Sequence, residues 1–282
     1  MEAFEVTVEV FAERVMAKLI PGPTDSNRNP QNIQDGTSAL TPSPPPGITY
    51  SETVWDTRIQ VTFVVPSRDD VLAEASDFLI ERESIDETPN WPGGDSGITW
   101  GVGWDAGQHS VAELKSDWAE LGQDVLKRLQ ATIGITGDDA EELVAGLSDI
   151  NIPQKVSLAV FKDKTLPDFY TETEQAFPGV TVLPLGVQVA LVSLVYNRGP
   201  SLGKESDDRR WEMRQIRRAV QQRDLLSIYE DIGSMIRIWK GSDIEKGMTN
   251  RRNAEQALIF PYVQPFLNGF KRFAPPGLRT YA

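Results

Sequence analysis

Glu81 and Glu83 stand just ahead of a run, Trp91-Pro-Gly-Gly-Asp-Ser-Gly-Ile-Thr-Trp-Gly-Val-Gly-Trp-Asp105, that holds five glycines, three tryptophans, a threonine and two aspartates. Gly93, Gly94, Gly97, Gly101 and Gly103 predict a tight turn followed by an open-faced strand, because glycine alone combines positive φ with close backbone approach. Indole rings beside glycines form a flat floor with polar groups at its edge, a surface that suits a sugar ring. A carboxyl group at a helix exit, facing a strand that carries Thr99 and Asp105 across a cleft, has the layout for splitting a glycosidic bond. Two other readings of the run compete. A nucleotide loop is excluded, since the spacing is not G-x-G-x-x-G and no Lys-Ser/Thr or βαβ pattern accompanies it. A purely structural hairpin with buried tryptophans stays open at this level.

Composition narrows the chemistry. Zero cysteines remove disulfides and thiolate metal sites, and the single histidine, His109, removes His-cluster zinc and leaves little for a Ser-His-Asp triad. Carboxylates are therefore the expected acid and base groups. A net charge of −13 argues against nucleic acid as a partner and sits awkwardly with an anionic polymer, although arginines cluster in the C-terminal half. No apolar run is long enough to span a membrane. The N-terminus shows neither a basic n-region nor an apolar h-region, so a signal peptide is not expected.

The elements that must position these residues follow from periodicity. Phe4, Val6, Val8 and Val10 alternate with polar residues, as do Trp55, Ile59, Val61, Phe63 and Val65, so two strands are expected to pair. Between them, residues 21–49 are rich in Pro, Ser, Asn and Gly and read as a loop. Residues 1–66 are accordingly taken as an N-terminal β segment and 67–282 as the main domain. Val71, Leu72, Ala75, Phe78 and Leu79 predict a helix reaching about Arg82 or Glu83. Acidic residues crowd its exit, and like charge at the negative end of a helix favours the protonated carboxyl that a general acid needs.

Beyond the hairpin, Ser110 and Glu113 form a capping box, and apolar spacing continues through Leu114, Trp118, Leu121 and Leu129. His109 reads as a turn or capping residue. Further helices are expected from Asp138 and from Pro153, with breaks at Leu166-Pro167 and at Phe177-Pro178-Gly179. The most apolar helix should end at Asn197-Arg198-Gly199, where Gly199 is a stop and Asn197 and Arg198 either cap the helix or face the cleft and hold substrate or catalytic groups. Met213, Ile216 and Val220 mark a helix face with Arg214, Arg217 and Arg218 mostly outside. A stripe from Leu225 to Trp239 follows, then a helix starting at Arg251, Arg252 and Glu255. The tail from Phe260, with four prolines, is expected to wrap the surface. The class is α+β, mainly helical, with a small glycine-rich β lobe.

These residues together resemble the phage-type lysozymes (muramidases), and most fully their pesticin-like branch. That branch carries Trp-Pro-Gly-Gly-x-Ser-Gly-x-Thr-x-Gly-x-Gly-Tyr-Asp, and Trp91 to Asp105 keep its register, with Trp100 and Trp104 in place of the more usual Ile and Tyr. The resemblance extends to Leu191–Gly199, Met213–Arg217 and Met235–Glu255 with Trp239, Arg251 and Arg252, covering roughly residues 67–260. It implies a lysozyme-like fold and hydrolysis of the β-1,4 bond between N-acetylmuramic acid and N-acetylglucosamine in peptidoglycan, for which no metal and no organic cofactor is needed. Carried over by position, Glu83 is the general acid, with Glu81 the alternative. Thr99 positions the attacking water, and Asp105 supports that water or the developing positive charge. Asp95 falls in a variable slot. Trp91, Trp104, Asn197 and Arg198 are the expected substrate contacts. An inverting route would set the two carboxyls roughly 6.5–9.5 Å apart. A chitosanase or chitinase-like glycosidase, and a non-catalytic glycan-binding structural protein, are the competing functions. Without a signal peptide, the chain is expected to be made in the cytoplasm and to reach the wall after release, as a phage endolysin, or by delivery, as a toxin with residues 1–66 as its delivery part. An immunity partner would fit the second case.

Overall fold

The computed structural model describes residues 5–11, 48–52 and 58–273. They form an α+β fold that is mostly helical, with two small antiparallel sheets. The chain divides into two compact units. The first comprises Met1–Ser67, Ala176–Leu191 and Ser201–Ala282, and the second Arg68–Gln175 and Val192–Pro200.

In the first unit, β1 (Glu5–Phe11), β2 (Ile48–Glu52) and β3 (Arg58–Val64) form a sheet in the order β1-β3-β2. The expected pairing of β1 with β3 is present, with Val8 opposite Val61 and Val6 opposite Phe63. The edge strand β2 begins inside the stretch read as a loop, since Ile48 and Thr49 pair with Phe63 and Thr62. Trp55 lies outside the described residues, as does most of that loop. Phe63 is buried and meets the Tyr262 ring edge-on, which fastens this sheet to the C-terminal helix.

Within the same unit, α8 (Trp211–Gln222) and α9 (Leu225–Ser234) make a helical hairpin through Arg223, whose left-handed φ of 54° turns the chain. Met213, Ile216 and Val220 are buried as their spacing requires. Arg214 is not outside as expected. It is 7% exposed, and its guanidinium donates to the carbonyls of Leu202, Lys204, Glu205 and Asp207. A planar five-donor group can gather one loop's carbonyls where an apolar side chain could not.

The last helix, α10, corrects two further expectations: it runs Glu245–Phe273, so it starts before Arg251 and absorbs Pro261 and Pro265 rather than giving way to a surface tail. Proline costs about 3 kcal/mol inside a helix. Ile259, Tyr262, Val263 and Phe266 are buried at helical spacing, and their burial offsets that cost. Residues 274–282, the remainder of the expected tail, lie outside the described residues.

The second unit opens with α1 (Arg68–Ile80), which stops short of the expected Arg82 or Glu83. Next come β4 (Asp86–Asn90), β5 (Thr99–Gly101) and β6 (Trp104–Asp105), a three-stranded sheet in sequence order where a two-stranded hairpin was expected. Then follow α2 (Val111–Asp117), α3 (Gln123–Leu129) and α4 (Asp138–Leu143). The Ser110–Glu113 capping box is formed with both of its bonds. The apolar spacing from Val111 to Leu129 is interrupted at Gly122, the N-cap of α3.

Helix α5 (Gln154–Val160) continues through a π-helical turn at Phe161–Thr165 into α6 (Leu166–Ala176). The expected break at Leu166-Pro167 is therefore absent. Pro167 directly follows the π-helical turn, where the i→i−4 ladder is already interrupted. Helix α7 (Leu185–Arg198) ends as expected at Gly199, whose φ is 72°. The core of this unit gathers Ile98, Trp100, Trp104, Leu114, Trp118 and Leu129.

Candidate active site

The site residues named from sequence all fall in the second unit, and strand register brings two of them, Thr99 and Asp105, together. In β5 and β6, Thr99 pairs with Asp105 and Trp100 with Trp104. Directly opposed residues project to the same side of a sheet, and neighbours along a strand to opposite sides. Trp100 and Trp104 thus share the core face, with ring centroids 4.7 Å apart, and Thr99 and Asp105 share the other. On the opposite edge of β5, Asp86 pairs with Gly101 and Asn90 with Thr99, with a register shift between them. Glu83 precedes Asp86 by three residues, at most about 11 Å of chain. The exit of α1 is thereby tied to the same small sheet that carries Thr99 and Asp105.

The helix exit separates the two candidate acids. Arg82 folds back, donating to the Phe78 carbonyl at 2.6 Å and laying its guanidinium 3.7 Å above the Phe78 ring. This cation at the carbonyl end of α1 opposes the acidic crowding there, a role that composition did not reveal. Glu81 pairs with Arg82 at 3.1 Å and keeps 73% of its side chain in solvent. Glu83 is half-buried, and its backbone N–H still donates to Leu79 at 2.9 Å.

Asp105 is held by its surroundings. Its Oδ1 accepts from the backbone N–H of Gly97 at 3.0 Å and of Gly107 at 2.8 Å. It is also the N-cap of the short helical turn Ala106–Gln108. Gly97 cannot be replaced here: a Cβ would collide with the Gly107 N–H and with Asp105 Oδ1. Thr99 is buried to 9% exposure. Asp95 is exposed.

The tryptophans divide. Trp91 is half-buried, packs against the core, and donates its indole N–H to the Ser96 carbonyl at 3.1 Å, which pins the turn at Gly93 and Gly94. Trp104 corrects the expectation of a substrate floor. It is 1% exposed, packed against Trp100 and Trp118, and stacked on His109 at 4.2 Å. Residue type and spacing do not distinguish an indole aimed inward from one aimed outward; the pairing with Trp100 decides it. His109 caps the Ala106–Gln108 turn and stands 3.9 Å from Glu113.

Asn197 and Arg198 are half-buried at the end of α7. Their neighbour Tyr196 was read only as part of an apolar helix, yet it is the contact that matters. Its hydroxyl lies against Gly103, leaving no room for a Cβ there, and its ring packs on Phe169 at 4.8 Å. The turn between β5 and β6 thus abuts the end of α7, which sets Asn197 and Arg198 one and two residues from that contact. Among the described residues, no group of three or more His, Asp or Glu side chains is arranged to hold a metal ion.

A model of the family described as "Pesticin: Bacterial toxin homologue of phage lysozyme, C-term" matches residues 75–212. The segment takes in the end of α1, the whole glycine-rich sheet and the end of α7, and the mostly helical α+β fold around it is lysozyme-like. No curated protein matches the chain.

Proposed function

We propose that this chain, whose residues 75–212 match the model of the phage-lysozyme homologue family, is a glycoside hydrolase cleaving the β-1,4 N-acetylmuramic acid–N-acetylglucosamine bonds of bacterial peptidoglycan. The observation that supports the reading is the register Asp86–Gly101 and Thr99–Asp105, which sets a hydroxyl opposite a carboxylate in a small sheet whose first strand begins three residues after the helix-exit Glu83.

In this mechanism Glu83 donates its proton to the glycosidic oxygen as the bond to the anomeric carbon breaks. Water held by Thr99 and Asp105 attacks that carbon from the opposite face, giving up its proton to the Asp105 carboxylate, and the configuration inverts. Both backbone bonds to Asp105 fall on Oδ1, so Oδ2 keeps its acceptor capacity for the water. Glu83 is preferred to Glu81 because Glu81 is drawn outward by Arg82. Trp91, Asn197 and Arg198 are the proposed substrate contacts. The family's description as a bacterial toxin favours a delivered toxin over an endolysin, with an immunity protein as the corresponding partner.

The test compares clearing of purified peptidoglycan by the wild type, Glu83→Gln and Glu81→Gln. Loss in Glu83→Gln alone supports the assignment. Clearing by Glu83→Gln at the wild-type rate removes Glu83 from the mechanism. Activity on chitosan with none on peptidoglycan would replace the substrate.

A further inference from the structure

Within the second unit, α1 and the π-helical turn Phe161–Thr165 enclose a pocket of about 270 Å3. Leu72, Ala73, Ser76 and Asp77 line it from α1, and Lys162 and Leu166 from the facing side. None of these is a residue assigned to the chemistry of the hairpin. Leu72 stacks with Ser76 and Ala73 with Asp77 at four-residue spacing, so the four share one face of α1. Lys162 and Leu166 lie in and just after the π-helical turn, a departure from regular helix that recurs at functional sites.

The polar groups here lack partners. Ser76 is 4% exposed, and its Oγ is buried without a hydrogen bond. Such a hydroxyl carries a desolvation cost that a ligand would relieve. Asp77 and Lys162 are exposed, and among the described residues neither side chain pairs with the other or with any third group. Elsewhere in the same unit surface charges do pair, Glu81 with Arg82 and Asp149 with Arg128. One acid and one base, both unpaired, therefore flank a buried hydroxyl and three aliphatic side chains.

That combination selects a ligand class. A simple anion drawn to Lys162 would be opposed by Asp77, and a simple cation the reverse. An apolar molecule would leave the Ser76 hydroxyl unsatisfied. A molecule bearing both charges satisfies both side chains. At about 30 Å3 of liquid volume per water-sized group, the pocket takes on the order of nine non-hydrogen atoms, too few for a disaccharide or a nucleotide.

We propose that this pocket binds the zwitterionic centre of a small α-amino acid. The ligand ammonium meets Asp77, its carboxylate meets Lys162 and accepts from the Ser76 hydroxyl, and a short aliphatic chain lies against Leu72, Ala73 and Leu166. This chemistry has two sources, a free amino acid and a wall peptide whose diamino acid keeps one α-amino-acid end free. Only the second source rests on the proposed peptidoglycan-cleaving function.

The test uses the full chain with its leucine methyl groups labelled with carbon-13. The Leu72 and Leu166 resonances are identified by their loss in Leu72→Ile and Leu166→Ile. Alanine, or a muropeptide whose diamino acid keeps its free end, should shift both resonances to saturation. Propionate or ethylamine alone at the same concentrations should not. Asp77→Asn, Lys162→Gln and Ser76→Ala should each weaken binding by about tenfold. Ser76→Ala should keep or raise the unfolding midpoint, because the hydroxyl it deletes has no partner, so its loss of binding is not a loss of fold. Saturation by alanine alone assigns a free amino acid, and saturation by the muropeptide alone assigns the wall peptide; either upholds the zwitterion site. No saturable shift with alanine or the muropeptide, an equal shift from propionate or ethylamine, or wild-type affinity in all three variants overturns it. If alanine binds but the wild type cleaves nothing, the catalytic reading falls and this one stands. If the wild type cleaves and neither probe binds, only this one falls.

Discussion

Replacing Asp105 separates its structural work from its proposed chemical work. Its Oδ1 accepts two backbone N–H groups, from Gly97 at 3.0 Å and Gly107 at 2.8 Å. Hydrogen bonds to a charged group contribute about 1.5–3 kcal/mol each, so Asp105→Ala should cost about 3 kcal/mol or more. That corresponds to a fall in unfolding midpoint of roughly 6–12 °C. Asp105→Asn keeps an oxygen in the same place and loses only the charge assistance, so it should cost about 1 kcal/mol. Thermal unfolding followed by tryptophan fluorescence suits the measurement, because Trp100, Trp104 and Trp118 are buried together beside this bracket. If Asp105 also supports the attacking water through its charge, Asp105→Asn should lose about a hundredfold or more in turnover while staying folded. Equal stability of wild type, Asn and Ala variants would refute the bracket. Full turnover by a stable Asp105→Asn would leave Asp105 as a cap and nothing more.

Other outcomes follow from the same coordinates. Glu255 and Arg252 are fully buried and joined at 2.7 Å, with Arg251 Nε at 3.6 Å, so Glu255→Gln should destabilise by about 3–5 kcal/mol in urea unfolding by stranding buried positive charge. Arg214→Lys removes the fork that gathers four carbonyls, and residues 201–208 should become markedly more sensitive to limited proteolysis. Burial, followed by the nearby Asp117 carboxylate, pushes the Asp168 carboxyl above its ordinary value. Its ionised form is then disfavoured by folding. That cost is full above the raised value and absent below the unfolded one. Asp168→Asn should therefore raise the unfolding midpoint at neutral pH, with the gain fading as pH drops through the acidic range.

Much of this organisation was legible because local chemistry dictated it. The alternation of Val6, Val8 and Val10 with polar residues needed a partner strand, and β3 supplies it. Ser110 and Glu113 capped the helix they were spaced to cap, and Gly199 ended α7. What escaped depended on contacts between residues far apart in the chain. Pro261 and Pro265 read as helix breakers until the buried stripe from Ile259 to Phe266 is known. Arg214 read as surface until a loop wrapped its carbonyls around it. At the candidate site, the sequence run named the residues, but only register assigned their sides. It turned Trp104 into the core and set Thr99 opposite Asp105. Arg82 and Tyr196 gave no signal of their own, since one acts by folding back on Phe78 and the other by filling the space beside Gly103.

The new reducing ends report which glycosidic bond is cut. Purified peptidoglycan digested by the full chain and then reduced with borohydride will carry the label on whichever sugar gained a reducing end. Cleavage as proposed yields reduced muramic acid, in amounts that rise with time for the wild type and not for Glu83→Gln. Reduced glucosamine in its place, or no new reducing ends with the wild type, would contradict the account.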